Sequence, residues 1–116
     1  VTPEDYKQAI EQLQPIPVTK QARRQASRTW LDETIRTRAG RLIREHDMNP
    51  EGRDLDTKHL GQSNWVIVKA AVDKKVNAVV GRGPKERSEF SQAEIDMITE
   101  QLDGIVAEVE EEVFGG

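Results

Sequence analysis

His46 and Asp47, followed closely by Asp54, Asp56 and His59, are the residues of this chain whose types could do chemistry most directly. Adjacent His-Asp is the dyad that metal-dependent phosphohydrolases use, and imidazoles among carboxylates can hold a transition metal. Such enzyme sites need a further histidine upstream, yet His46 and His59 are the only two present. The same stretch also opens like a calcium loop. Asp47-Met48-Asn49-Pro50-Glu51-Gly52 offers oxygen ligands at the first, third and fifth places and a glycine at the sixth. It then departs from that pattern, because Lys58 stands where a bidentate glutamate is needed and Asp54 where an apolar residue belongs. A solvated acidic turn is the plainer identity, and a metal-dependent enzyme is kept as a third functional reading. No cofactor is expected. No cysteine, glycine-rich nucleotide motif, nucleophile elbow or serine triad is available, and the carboxylates fall on helix faces without apolar neighbours to raise a pKa.

The second kind of chemistry is phosphate binding. Residues 19–44 carry Lys20, Arg23, Arg24, Arg28, Arg36, Arg38, Arg41 and Arg44 against only Asp32 and Glu33, whereas residues 88–116 carry acidic side chains and no Lys or Arg. Arginines on an exposed helix contact phosphates, with binding that weakens steeply in salt. The basic loop Gly81-Arg82-Gly83-Pro84-Lys85 adds Arg82, Lys85 and free backbone amides. These ten cations are the candidate nucleic-acid contacts, to DNA or RNA. The competing reading pairs the basic segment with the acidic C-terminal helix of its own chain or of a twin subunit, and the net charge of −4 lowers attraction to a polyanion. The charge pattern thus predicts a non-enzymatic nucleic-acid-associated or assembly protein, expected as an oligomer; the alternative is a protein-interaction adaptor or regulatory subunit that assembles through oppositely charged helices. Aromatic residues are scarce, which argues against modules that stack bases on aromatic platforms.

The elements that must position these residues read as all-α. The run 64–80, NWVIVKAAVDKKVNAVV, is the most apolar in the chain; as a helix it gathers Lys69, Asp73, Lys74 and Asn77 on one narrow face and is apolar round the rest. It is expected to sit mostly inside, with Ser63 or Asn64 as its cap and Gly81 closing it. Strands over 65–71 and 76–80, which hold five valines and an isoleucine, would make a β-hairpin, the alternative here. Threading residues 55–71 as a helix-turn-helix leaves too few hydrogen-bonding side chains on the exposed face to read base edges.

Around that post, Thr2-Pro3-Glu4-Asp5 starts a helix over 3–14 that Pro15-Ile16-Pro17 ends. Thr19 caps a rod over 19–46, whose apolar stripe shifts from Ala22, Ala26 and Trp30 to Leu31, Ile35, Ala39, Leu42 and Ile43. A rod with shifting faces cannot present all eight cations to one ligand. Residues 54–60 could form a short helix. Ser91 and Glu94 form a capping box, with Phe90 and Ile95 as a staple, for a helix over 91–114 with the seam Ile95, Ile98, Leu102, Ile105, Val109 and Val113. The expected architecture is one domain, a small bundle of four main helices. No stretch is long and apolar enough for a membrane span, and the cysteine-free composition reads as cytoplasmic.

Overall fold

A computed structural model describes residues 19–115; the helix expected over 3–14 and its proline stop lie outside the described residues. Among the described residues there are three α-helices and no strand: α1, Lys20–Glu45; α2, Asn64–Val80; and α3, Gln92–Phe114. A 3-10 turn, Arg87–Glu89, precedes α3. Three helices are thus counted where four were expected, and the hairpin alternative for 64–80 is not formed. No helix among the described residues is long and apolar enough to cross a membrane.

Each helix starts where its capping chemistry predicts. The Thr19 hydroxyl accepts from the Ala22 amide at 3.0 Å, and the Ser63 hydroxyl from the Val66 amide at 3.2 Å. Ser91 and Glu94 complete both halves of the capping box, at 3.2 and 3.0 Å. Gly81 ends α2 with φ of +68°, a conformation that a side chain would strain.

The three helices pack pairwise around one core. α1 runs unbroken through Trp30–Asp32 as a rod, but only its second stripe is buried: Leu31, Ile35, Ala39, Leu42 and Ile43. The first stripe is exposed, with Trp30 half in solvent at 50%. α3 inserts the expected seam from Ile95 to Val109, with Val113 partly buried and Phe90 fully enclosed ahead of it.

α2 departs from expectation. It buries the single stripe Val68, Val72 and Val76, while Val66, Ala70, Lys74 and Ala78 face solvent. The physical reason is the number of neighbours: α2 packs on α1 and α3, and among the described residues its third side meets no other helix. Alanine methyls on that side expose little apolar surface, so one valine stripe suffices to hold the helix.

The connection 46–63 is turns rather than a helix over 54–60. Asp56 accepts from the amides of Leu60, Gly61 and Gln62, which draws the chain into a loop that a helix could not follow. Without a first helix there, the helix-turn-helix threading also fails. Asn64, fully buried, ties this connection to α2. Its carboxamide oxygen accepts from the Leu55 amide at 2.9 Å, and its nitrogen donates to the Asn49 carbonyl and to Asp54.

Two stability changes follow. Asn64→Ala leaves buried partners unpaired and should lower unfolding free energy by about 2–3 kcal/mol in urea melts. Gly40→Ala should raise it by about 0.5–1 kcal/mol, because the new Cβ meets Arg44 and Trp65 at 3.7 and 3.8 Å, ordinary contact distances.

Candidate nucleic-acid interface

The eight basic residues of α1 divide by environment. Lys20, Arg23, Arg36, Arg41 and Arg44 are exposed and form no ion pair with another described residue. Arg38 pairs with Asp103 of α3 at 2.7 Å, and Arg28 donates to the Ser88 carbonyl. Arg24 is half-buried, its Nε enclosed without a partner. The basic helix is therefore tied to the acidic one at a single ion pair among the described residues. The acids of α3 find other partners: Lys75 of α2 reaches Glu112 at 2.7 Å and Glu108 at 3.4 Å, and the His46 ring lies 3.0 Å from Glu110.

Helical periodicity sorts the exposed cations into two rows. Arg23, Trp30, Thr37 and Arg41 follow one another at steps of seven and four. Arg36, Gly40 and Arg44 form a second row about a quarter turn away. Trp65 lies against that second row, its indole N–H donating to the Arg36 carbonyl at 3.1 Å. The small surface of Gly40 leaves room for the ring.

Beside the second row lies a cleft of about 760 Å³ between α1, α2 and the connection 81–90. Arg36 and Asp32 line it from α1; Lys69, Asp73, Lys74 and Asn77 from α2; Arg82, Pro84 and Arg87 from the connection. The polar face expected on the valine-rich helix is thus one wall of this cleft. Arg87 forks between two helices, giving one nitrogen to Asp32 at 2.7 Å and the other to Asp73 at 3.0 Å. Asp73 also takes Lys69 at 2.6 Å. The Arg87 guanidinium lies 5.1 Å from the centroid of the buried Phe90 ring.

Arg82, expected to contact phosphate, is instead held by Glu94 through two parallel hydrogen bonds of 2.8 and 2.9 Å. That contact, with the Ser91 amide, holds the Glu94 carboxyl at about 2, well below its ordinary 4.5. Lys85 is exposed, without an ion pair to a described residue. Lys69, Lys74 and Arg87 were not among the sequence candidates. For Lys69 and Lys74 the signal was there in the polar face of 64–80, but not the knowledge that this face would border α1; for Arg87, in the turn 87–89, no local signal stood out.

The His46 to His59 stretch does not assemble. His46 stacks on Phe114, centroids 4.0 Å apart, Asp54 and Asp56 hold their own loop, and His59 is exposed. The Asp56 carboxyl is pulled below its usual range chiefly by the Leu60 amide. Among the described residues no three His, Asp or Glu side chains converge as metal ligands would. Set against protein-family models, curated proteins and solved structures, the chain has no match.

Glu94 joins the cap of α3 to Arg82, so Glu94→Gln should cost about 1–2 kcal/mol at neutral pH. A carboxyl whose pKa falls on folding adds stability above its unfolded value and loses it as pH drops through the folded one. Wild-type stability should therefore decline between the ordinary 4.5 and about 2, and denaturation followed against pH should show a shallower decline in the variant.

Proposed function

We propose that this is a small non-enzymatic nucleic-acid-associated protein that contacts a phosphate backbone through the exposed cations of α1. The observation carrying this reading is that Lys20, Arg23, Arg36, Arg41 and Arg44 are exposed and unpaired with any described acid, in a chain rich in acids. Each such cation laid on a phosphate releases condensed counterions, a gain that does not depend on base sequence. The exposed Thr37 supplies a hydroxyl of the kind that also bonds phosphate oxygens. The acidic α3 repels a polyanion and so confines approach to the α1 side. Binding of this sort positions the protein without reading sequence. A cytoplasmic setting and self-association belong to the same proposal.

A protein-interaction adaptor that assembles through its oppositely charged helices is the second reading. Trp30 favours it, since an exposed tryptophan set between Arg23 and Arg41 has the composition of an interface anchor.

Anisotropy titrations of labelled duplex and single-stranded DNA and RNA, at about 50–200 mM salt, separate the two. Micromolar or tighter binding with a steep salt slope is expected, and Arg23→Gln/Arg41→Gln/Arg44→Gln should lower that slope by about 1 per residue removed. No binding at low salt, together with a stable oligomer in sedimentation, would favour the adaptor.

A further inference from the structure

We infer that the cleft between α1, α2 and residues 81–90 is a binding site for a phosphate monoester of nucleotide size, adjoining the row Arg23, Trp30, Thr37 and Arg41 and drawing Arg36 from the exposed cations of α1. The inference does not rest on the nucleic-acid reading. It rests on charge, on unpaired buried atoms and on size.

Within the wall, Arg87 and Lys69 balance Asp32 and Asp73, and Arg82 is balanced by Glu94. Arg36 and Lys74 remain, one from each helix, paired with no described acid. Two uncompensated cations match the roughly −1.5 to −2 charge of a phosphate monoester at neutral pH better than the single charge of a carboxylate. Both sit at the cleft edge with Arg36 and Lys74 exposed, so an anion reaches them without rearrangement.

The second observation is deeper in the wall. Asn77 is only 9% exposed, and its Oδ1 is buried with no hydrogen-bond partner in the protein. The Nε of Arg87 is buried and unpartnered in the same way. Buried polar atoms are rarely left so; of the four among the described residues these two belong to residues lining the cleft, and a small turn of either side chain would let a ligand's own polar group complete it. An acceptor at Asn77 calls for an N–H or O–H on the ligand. The remaining lining residues, Ala70, Ala78 and Pro84, are apolar and give a ring edge or face something to pack against. A volume of about 760 Å³ falls in the range of small-molecule sites. A nucleoside monophosphate has all three parts: dianion, ring and ring-edge donor. It can arrive free or as the phosphorylated end of a strand.

Calorimetry with the full chain tests this using AMP, UMP and inorganic phosphate as probes. Saturable binding of a nucleotide is expected, with Lys74→Gln and Arg36→Gln each weakening it by about tenfold or more. Amide shifts in an NMR titration should centre on residues 69–78. Inorganic phosphate binding as tightly as both nucleotides would overturn the inference, as would nucleotide affinity unchanged in Lys74→Gln. A 5′-phosphorylated oligonucleotide that displaces AMP identifies a strand end as the ligand, and one that fails to identifies the free nucleotide. Lys74→Gln should leave the salt slope of duplex binding as it was. Loss of duplex binding with AMP binding retained would sink only the α1 backbone proposal.

Discussion

Burial of one valine stripe, Val68, Val72 and Val76, between α1 and α3 is the constraint on which the rest depends. β-Branched side chains lose rotamer freedom in a helix, so a valine-rich segment has little reason to be helical on its own. Packing against Leu31, Ile35 and Ile43 on one side and the isoleucine seam of α3 on the other compensates for that loss. Once those three valines point inward, the phase of α2 is set. Lys69 and Asp73, each one residue on from a buried valine, must then border α1, and Lys74 must lie at the rim. The cleft is a consequence of where the valines are.

The same constraint governs the distribution of charge. Most charged side chains of the chain are exposed, and the edge of the core takes the few ion pairs that are partly buried. Arg87 spans α1 and α2 through Asp32 and Asp73, while Arg82 fixes the connection to the first turn of α3 through Glu94. Both guanidinium groups also face Phe90, whose ring closes the core at that end. Exposed ion pairs contribute little singly. These are only partly exposed and join different elements, so their value is in orienting α1, α2 and α3 against each other.

Local signals in the sequence were legible and long-range ones were not. The caps at Thr19, Ser63 and Ser91, the glycine stop at Gly81 and the seam of α3 depend on neighbours within four residues, and each stands where its chemistry placed it. The turn at 47–52 was legible, but the stretch 54–60 was misread as a possible helix because Asp56 turns it back through three amides and Asn64 ties it from nine to fifteen residues away to Leu55 and Asn49. The enclosure of α2 was overestimated for a related reason: hydrophobicity round a helix says how much could be buried, while the number of neighbouring helices decides how much is. Partner choice among the arginines was equally hidden. Nothing in the spacing of Arg82 and Lys85 says that one is held by Glu94 and the other is not.

The two regions of α1 proposed to meet anions differ in structural support, and that difference bears on the roles proposed for them. The row Arg23, Trp30 and Arg41 lies on the solvent side of a helix whose first eleven residues contribute nothing to the buried core, so its side chains are long, hydrated and able to adjust to a backbone of any sequence. Arg36 borders walls whose groups are already fixed by pairs to two other elements. Fixed groups lose less freedom on binding, which favours one ligand of defined shape over many of loosely similar charge. A shift of one residue in the α2 register would turn Asn77 and Lys74 away from the cleft while leaving the outer row untouched. The selectivity proposed for the cleft therefore traces to the valine stripe, although no valine lines it.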